Sequence, residues 1–136
     1  MAASRKEGRT LMSPSPAAAS KRSTQIWWEL ERVLGDPEMV DPGDPAPSLS
    51  AGYELKQLIE ETETLLGATM TTPHIEFFEG SIRLIWNWPN RSVRAVKASL
   101  PDRRSYIYHE DVADGLSRNA GMAELTPQNL AKYLAV

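Results

Sequence analysis

Polar and apolar residues alternate through Ile82-Arg83-Leu84-Ile85-Trp86-Asn87-Trp88, which places Ile82, Leu84, Trp86 and Trp88 on one face. Ser81, Arg83 and Asn87 take the other face, with Ile85 the large apolar residue among them. A period of two, rich in β-branched and aromatic side chains, predicts a strand with one buried side. Around it the pattern predicts four antiparallel strands, 74–78, 81–88, 92–99 and 104–109. Glu79-Gly80 suits a two-residue hairpin turn, whereas Pro89-Asn90 and Pro101-Asp102 suit slightly longer loops. Links this short require a meander, because parallel neighbours need a long crossover. In the third strand Val93 and Ala95 oppose Val96, Ala98 and Leu100, which predicts a bulge or contact on both sides.

The period changes to that of a helix on either flank. Leu55, Leu58, Ile59, Thr62, Leu65 and Leu66 recur at i, i+3, i+4, i+7 behind a Ser48 or Ser50 cap, and Gly67 ends the run. This helix, 48–66, is expected to roof the face bearing Leu84 and Trp86. Its outer face carries Glu54, Lys56, Gln57, Glu60, Glu61 and Glu63, read as a solvated surface. A shorter helix starts at Ser23 or Thr24, with Trp27, Leu30 and Leu34 at helical spacing and Gly35 at its end. Residues 36–47, DPEMVDPGDPAP, contain four prolines and four acidic residues and predict a linker without helix or central strand. A polar loop from Asp111 then leads to a last short helix, capped by Thr126 with Pro127 in its first position. The fold class expected is α+β: a four-stranded antiparallel meander packed on an amphipathic helix, with short helices at each end.

Charge divides the chain in two. Residues 1–22 hold Arg5, Lys6, Arg9, Lys21 and Arg22 against Glu7, whereas 23–136 hold ten Lys/Arg against seventeen Asp/Glu. The small, polar, proline-interrupted start predicts a disordered basic arm over 1–22, ahead of a single α+β domain over 23–136. An arm ordered by a partner and a targeting segment are the alternatives. The acidic body argues against general nucleic-acid binding. The absence of cysteine excludes disulfides and thiolate chemistry and fits a reducing cytoplasm. No apolar run approaches the roughly 18 residues of a membrane span, so no membrane partner is expected.

Candidate chemistry is sparse. His109-Glu110-Asp111 with Asp114 supplies metal-ligating types at a spacing that matches no established pattern, and His74 lies on a distant strand. Glu76 and Glu79 could be paired carboxylates, but nothing in their surroundings calls for a raised pKa. Phosphate-binding loops, dinucleotide fingerprints and nucleophile elbows do not occur. The expectation is a non-enzyme with no cofactor, metal or small-molecule substrate. Binding candidates are clearer. Trp27 and Trp28 point about 100° apart on a helix, so one ring faces outward. Trp28, Trp88 and Tyr133 are the candidate partner-binding residues. Arg83, Arg91, Arg94, Lys97, Arg103 and Arg104 concentrate six cations within 22 residues, with Trp88, Tyr106 and Tyr108 among them. That combination is one way to hold single-stranded nucleic acid. Exposed sheet faces and turn tips, however, commonly carry Arg and Lys as protection against edge pairing, and that reading comes first, ahead of an acidic protein partner and of nucleic acid.

Glu79, Gly80, Ser81, Ile82, Leu84 and Trp86, after a Trp-bearing helix, an acidic proline-rich link and an amphipathic helix, carry a resemblance. Residues 24–109 resemble a widespread group of small uncharacterised bacterial proteins with an Asp-Gly-Gly-Ile-x-Leu-x-Trp hairpin. Ser81 replaces the second glycine, and the group's Trp-Asp-Gly element before the link is not evident. The resemblance implies an α+β fold and a bacterial or mobile-element origin, and no reaction. The function expected is a non-catalytic interaction or regulatory accessory protein, such as a subunit of a toxin–antitoxin or phage-defence assembly. It would bind a neighbouring gene product or itself. The alternative is a single-stranded nucleic-acid-binding protein using a basic, aromatic sheet face.

Overall fold

The computed structural model describes residues 21–67 and 70–135. Residues 1–20 of the expected arm lie outside the described residues. Lys21 and Arg22, expected in that arm, belong to the folded body. Helix α1 begins at Arg22, whose guanidinium donates from Nε to the Met70 carbonyl (3.0 Å) and from one terminal nitrogen to Thr72 Oγ1 (2.8 Å).

Helix α1, Arg22–Leu34, is not capped by Ser23 or Thr24 as the sequence predicts. Its open backbone amides find a carboxylate on the neighbouring helix instead. Glu63 accepts from Arg22 N (3.0 Å), Ser23 N (3.3 Å) and the buried Ser23 hydroxyl (2.6 Å). A negative charge there also meets the positive end of the helix dipole. Glu63 is thus a structural capping group rather than part of a solvated face. Helix α2, Leu49–Leu66, follows its sequence signals: the Ser48 hydroxyl accepts from Ala51 N (3.0 Å), and Gly67 closes it in the left-handed conformation (φ 63°). Between the helices the linker is less irregular than its prolines predict. Pro37–Met39 forms one 3-10 turn, capped by the Asp36 side chain accepting from Glu38 N (3.0 Å).

The sheet has five antiparallel strands rather than four, in the order β1-β2-β3-β4-β5. They are β1 His74–Phe78, β2 Ser81–Trp88, β3 Arg91–Lys97, β4 Tyr106–Ala113 and β5 Leu116–Glu124. The expected fourth strand, 104–109, therefore starts later and runs further, and most of the expected polar loop is β5. Asp114 and Gly115, both with positive φ (54° and 74°), join Ala113 to its partner Leu116 in a two-residue turn. Glu79 and Gly80 (φ 51° and 83°) do the same between Phe78 and Ser81. Pro89-Asn90 also closes as a two-residue link, between the paired Trp88 and Arg91, and is shorter than expected. The irregularity expected in β3 lies in β5: pairing shifts between His109 and Asp111, with Asn119 at φ 50°. What β3 shows is burial on both sides, with Val93 and Ala95 on one and Val96 on the other.

Registry decides which side each residue takes. Leu84, Ala95 and Ile107 lie in one cross-strand row, and Trp86, Val93 and His109 in the next. The apolar members of these rows join Ile26, Leu30, Leu55 and Ile59 of the helices in one buried cluster. Trp86 is 2% exposed and donates its indole N–H to the Thr71 carbonyl (2.8 Å). Helix α3, Pro127–Leu134, docks on the same side through Leu130 and Leu134, and the Thr126 hydroxyl caps it by accepting from Asn129 N (3.1 Å). All three helices thus cover one face of the sheet.

Candidate functional site

Covering one face leaves the other open. Its residues follow from the same registry: Glu76, Arg83, Val96, Tyr106 and Glu124 form one row, and His74, Ile85, Arg94, Tyr108 and Met122 the next. Phe78 and Ser81 face each other at the hairpin end. Val96 is 3% exposed although it lies outside the helix-side cluster, because long neighbours on the open face shield it. The β3–β4 loop, 98–105, rises beside this row. Between it and the β1–β2 hairpin lies a depression of about 320 Å3, lined by Phe78, Ser81, Arg83, Val96, Tyr106 and Met122 and bordered by the charged Glu79, Asp102, Arg103 and Arg104.

Cations and rings interleave on this face. The Arg83 guanidinium lies 4.1 Å from the Phe78 ring centre and pairs with Glu76 (3.0 Å). That of Arg94 lies 5.7 Å from the Tyr108 ring. The Nε atoms of both arginines are shielded from solvent and have no hydrogen-bond acceptor among the described residues. Glu110 shares the face and accepts from Ser117, from Tyr108 (3.3 Å) and from Ser92 (3.4 Å). The Ser117 hydroxyl chiefly holds its carboxyl below the usual carboxylate range. Burial opposes this, and Tyr108, Ser92 and the Arg94 charge assist it.

The six basic residues expected to act together are divided by the sheet. Arg83, Arg94, Arg103 and Arg104 gather on or beside the open face with Tyr106 and Tyr108. Lys97 points to the helix side and pairs with Glu54 of α2 (2.8 Å), which lowers the Glu54 pKa through that hydrogen bond and its charge. Arg91 lies over the Trp88 ring (3.9 Å) and donates to the last carbonyls of α3, those of Tyr133 and Leu134. It therefore holds a helix C-terminus. Arg103 pairs with Glu79 (3.0 Å). Arg104 is exposed.

The three candidate partner-binding residues differ in the same way. Trp28 is 58% exposed, while Trp27 packs inward against Tyr53 (5.2 Å between ring centres). Trp88 is half-buried against the helix-side cluster. Tyr133 stacks on His109 at 4.1 Å and 16°. A Cβ at Gly121 would come within 3.0 Å of His109 Nε2, so the imidazole is sandwiched between Tyr133 and the Gly121 backbone. His109 thus faces the helices and Glu110 the open side, which splits the local cluster considered for a metal. Among the described residues, no three His, Asp or Glu side chains come together as a cation site. His74 lies 3.6 Å from Glu76 on β1.

Phe78 and Met122 are the open-face residues that sequence reasoning missed. Asp114-Gly115 carried a signal for Met122, since Asp-Gly is a strong two-residue hairpin marker. Phe78 follows from alternation with the buried Phe77. Among the described residues no helix is long and apolar enough to cross a membrane. Comparison with known families, with curated proteins and with solved structures finds no match for this chain.

Proposed function

We propose that this protein is a non-catalytic interaction module that docks a protein partner on the open face of its sheet. One observation carries the reading: a surface of Phe78, Tyr106, Tyr108, Met122, Arg83 and Arg94 sits on the five-stranded sheet, uncovered by any described element. Aromatic residues, Met and Arg are the types enriched where protein partners meet. Trp28 lies on α1, away from this surface, and is a secondary contact at most. The expected setting is an accessory subunit of a bacterial toxin–antitoxin or phage-defence assembly. Co-expression with the adjacent gene product and size-exclusion chromatography test it. Met122→Glu or Tyr106→Glu should abolish co-elution, and Trp28→Ala should leave it intact. Co-elution that survives both open-face substitutions, or a monomer that takes no partner, would refute the docking surface.

A second reading, single-stranded nucleic acid on Arg94, Arg104, Tyr106 and Tyr108, draws support from rings and cations sharing a face. The ion pairs weigh against it, because Glu76 and Glu79 already neutralise Arg83 and Arg103. Titration of labelled single strands at low salt decides between the two. Strong, steeply salt-dependent binding that Arg94→Glu removes would favour this second reading.

A further inference from the structure

Each sheet arginine described above as engaged has a polar acceptor: Glu76 for Arg83, the α3 carbonyls for Arg91 and Glu79 for Arg103. Arg94 is different. It sits in the middle of the open face, between Ile85 on β2 and Tyr108 on β4. Its side chain makes no hydrogen bond among the described residues, and its Nε is shielded from solvent. The carboxylate beside it, Glu110, is occupied by Ser92, Tyr108 and Ser117. A guanidinium partly removed from water without an acceptor is destabilising, and the two terminal nitrogens of its planar fork, which are not shielded as Nε is, match a carboxylate end-on through two parallel hydrogen bonds. The depression over Val96 opens beside it, with Phe78, Tyr106 and Met122 as its apolar wall, charged residues of the β3–β4 loop at its rim, and room for a bulky apolar side chain.

Resting on the docking reading above, we infer that the partner is an acidic peptide segment whose carboxylate seats on Arg94 and whose neighbouring apolar side chain fills that depression. Charge complementarity at the centre is matched by opposition at the margin. Asp102 lines the depression, and Glu124 is exposed across from Tyr106 on the edge strand at the same end of the face; both repel further negative charge. The site therefore favours a single acid among apolar residues over a run of acids. Repeating phosphates would meet Glu76, Glu110 and Glu124 as well as Arg94, which disfavours a nucleic-acid strand on the same surface.

Panning short random displayed peptides on the full chain tests this, with a single-stranded oligonucleotide as competitor. Selected peptides should share an Asp or Glu next to a bulky apolar residue. Changing that acid to its amide in a synthetic selected peptide should weaken binding about tenfold or more, and Arg94→Gln in the protein should do the same. Arg94→Lys should restore only part, because an ammonium lacks the fork. The peptide change needs no altered protein, so misfolding of a variant cannot explain it. Peptides that lack an acid yet lose binding in Met122→Glu would overturn the acidic partner and leave the docking surface standing. Peptides indifferent to both Arg94 and Met122 substitutions would overturn both readings. Displacement of the peptide by the oligonucleotide in an Arg94-dependent manner would also overturn the inference.

Discussion

The two faces of the sheet share the same strands and turns but are built on opposite terms. On the helix side, Leu84, Ala95 and Ile107 are each completely buried, and polar atoms there have partners, as with the indole N–H of Trp86. On the open side, Arg83 and Arg94 lie along rings and keep nitrogen donors without acceptors. A helix-covered face gains stability from the apolar area it removes from water. An uncovered face with shielded, unmatched donors gives up stability locally. The terminal nitrogens of Arg94, which are neither shielded nor hydrogen-bonded among the described residues, are the donors that a binding partner can reach. The difference shows how one meander can place folding and recognition on alternate residues of each strand.

The contrast can be broken most directly by truncation. Trp86→Ala should cost about 3–5 kcal/mol, since it removes a fully buried ring and its hydrogen bond. Ile85→Ala, one residue along and facing out, should cost about 1 kcal/mol or less. Urea denaturation of both variants measures the pair, and equal losses would mean that the open face also stabilises the fold. Next in size is the helix layer's own cap. Glu63→Ala should cost about 1–2 kcal/mol, because it strands the α1 amides and the buried Ser23 hydroxyl. A parallel Glu61→Ala change should be close to neutral, and the same denaturation series checks it.

Gly121 offers a finer test of how the edge strand is tied to the helix side. Replacing a strand glycine ordinarily stabilises by restricting the unfolded chain. Here Gly121→Ala should instead destabilise by about 1 kcal/mol, since His109 is held against it by Tyr133. Adding Tyr133→Ala should make the two losses less than additive in a double-mutant cycle. The smallest effect expected is pH dependence on the open side. The folded-state pKa of Glu110 lies below its ordinary value, so its contribution is fully present above the usual glutamate range, about pH 4.3, and is lost as pH falls through the folded value. Amide exchange of Ser117 and Arg118, followed by NMR on acidification, should show loss of protection that Glu110→Gln abolishes.

Much of the architecture was legible because periodicity is a local property. The alternation through Ile82–Trp88 and the leucine rhythm of 49–66 depend on residues a few positions apart, as do the Ser48 and Thr126 caps. Strand β5 escaped because Ser117-Arg118-Asn119-Ala120-Gly121 offers neither β-branched residues nor alternation. It is a strand because β4 pairs with it and the Asp114-Gly115 turn aims it, and both edges of its hydrophobic pattern are exposed. The residues of the open face were partly legible. Arg83, Arg94, Tyr106 and Tyr108 stood out by type, and alternation in β3 sets Arg91 and Lys97 opposite Arg94, but which side of β3 joins the helix-covered face was not visible without the registry.

The sequence by itself determined an α+β chain with an antiparallel meander, the inward row of Leu84 and Trp86, and the places where helices begin and end. These follow from side-chain spacing and from backbone preferences at Ser, Thr, Pro and Gly, which act over a few residues. Only the tertiary structure decided that Glu63 caps a helix some forty residues away, that Tyr133 locks His109 over Gly121, and that Arg94 is left without an acceptor. Those outcomes depend on which distant groups meet once the strands are in register, and a polar side chain's fate is set by the partner it meets rather than by its neighbours along the chain.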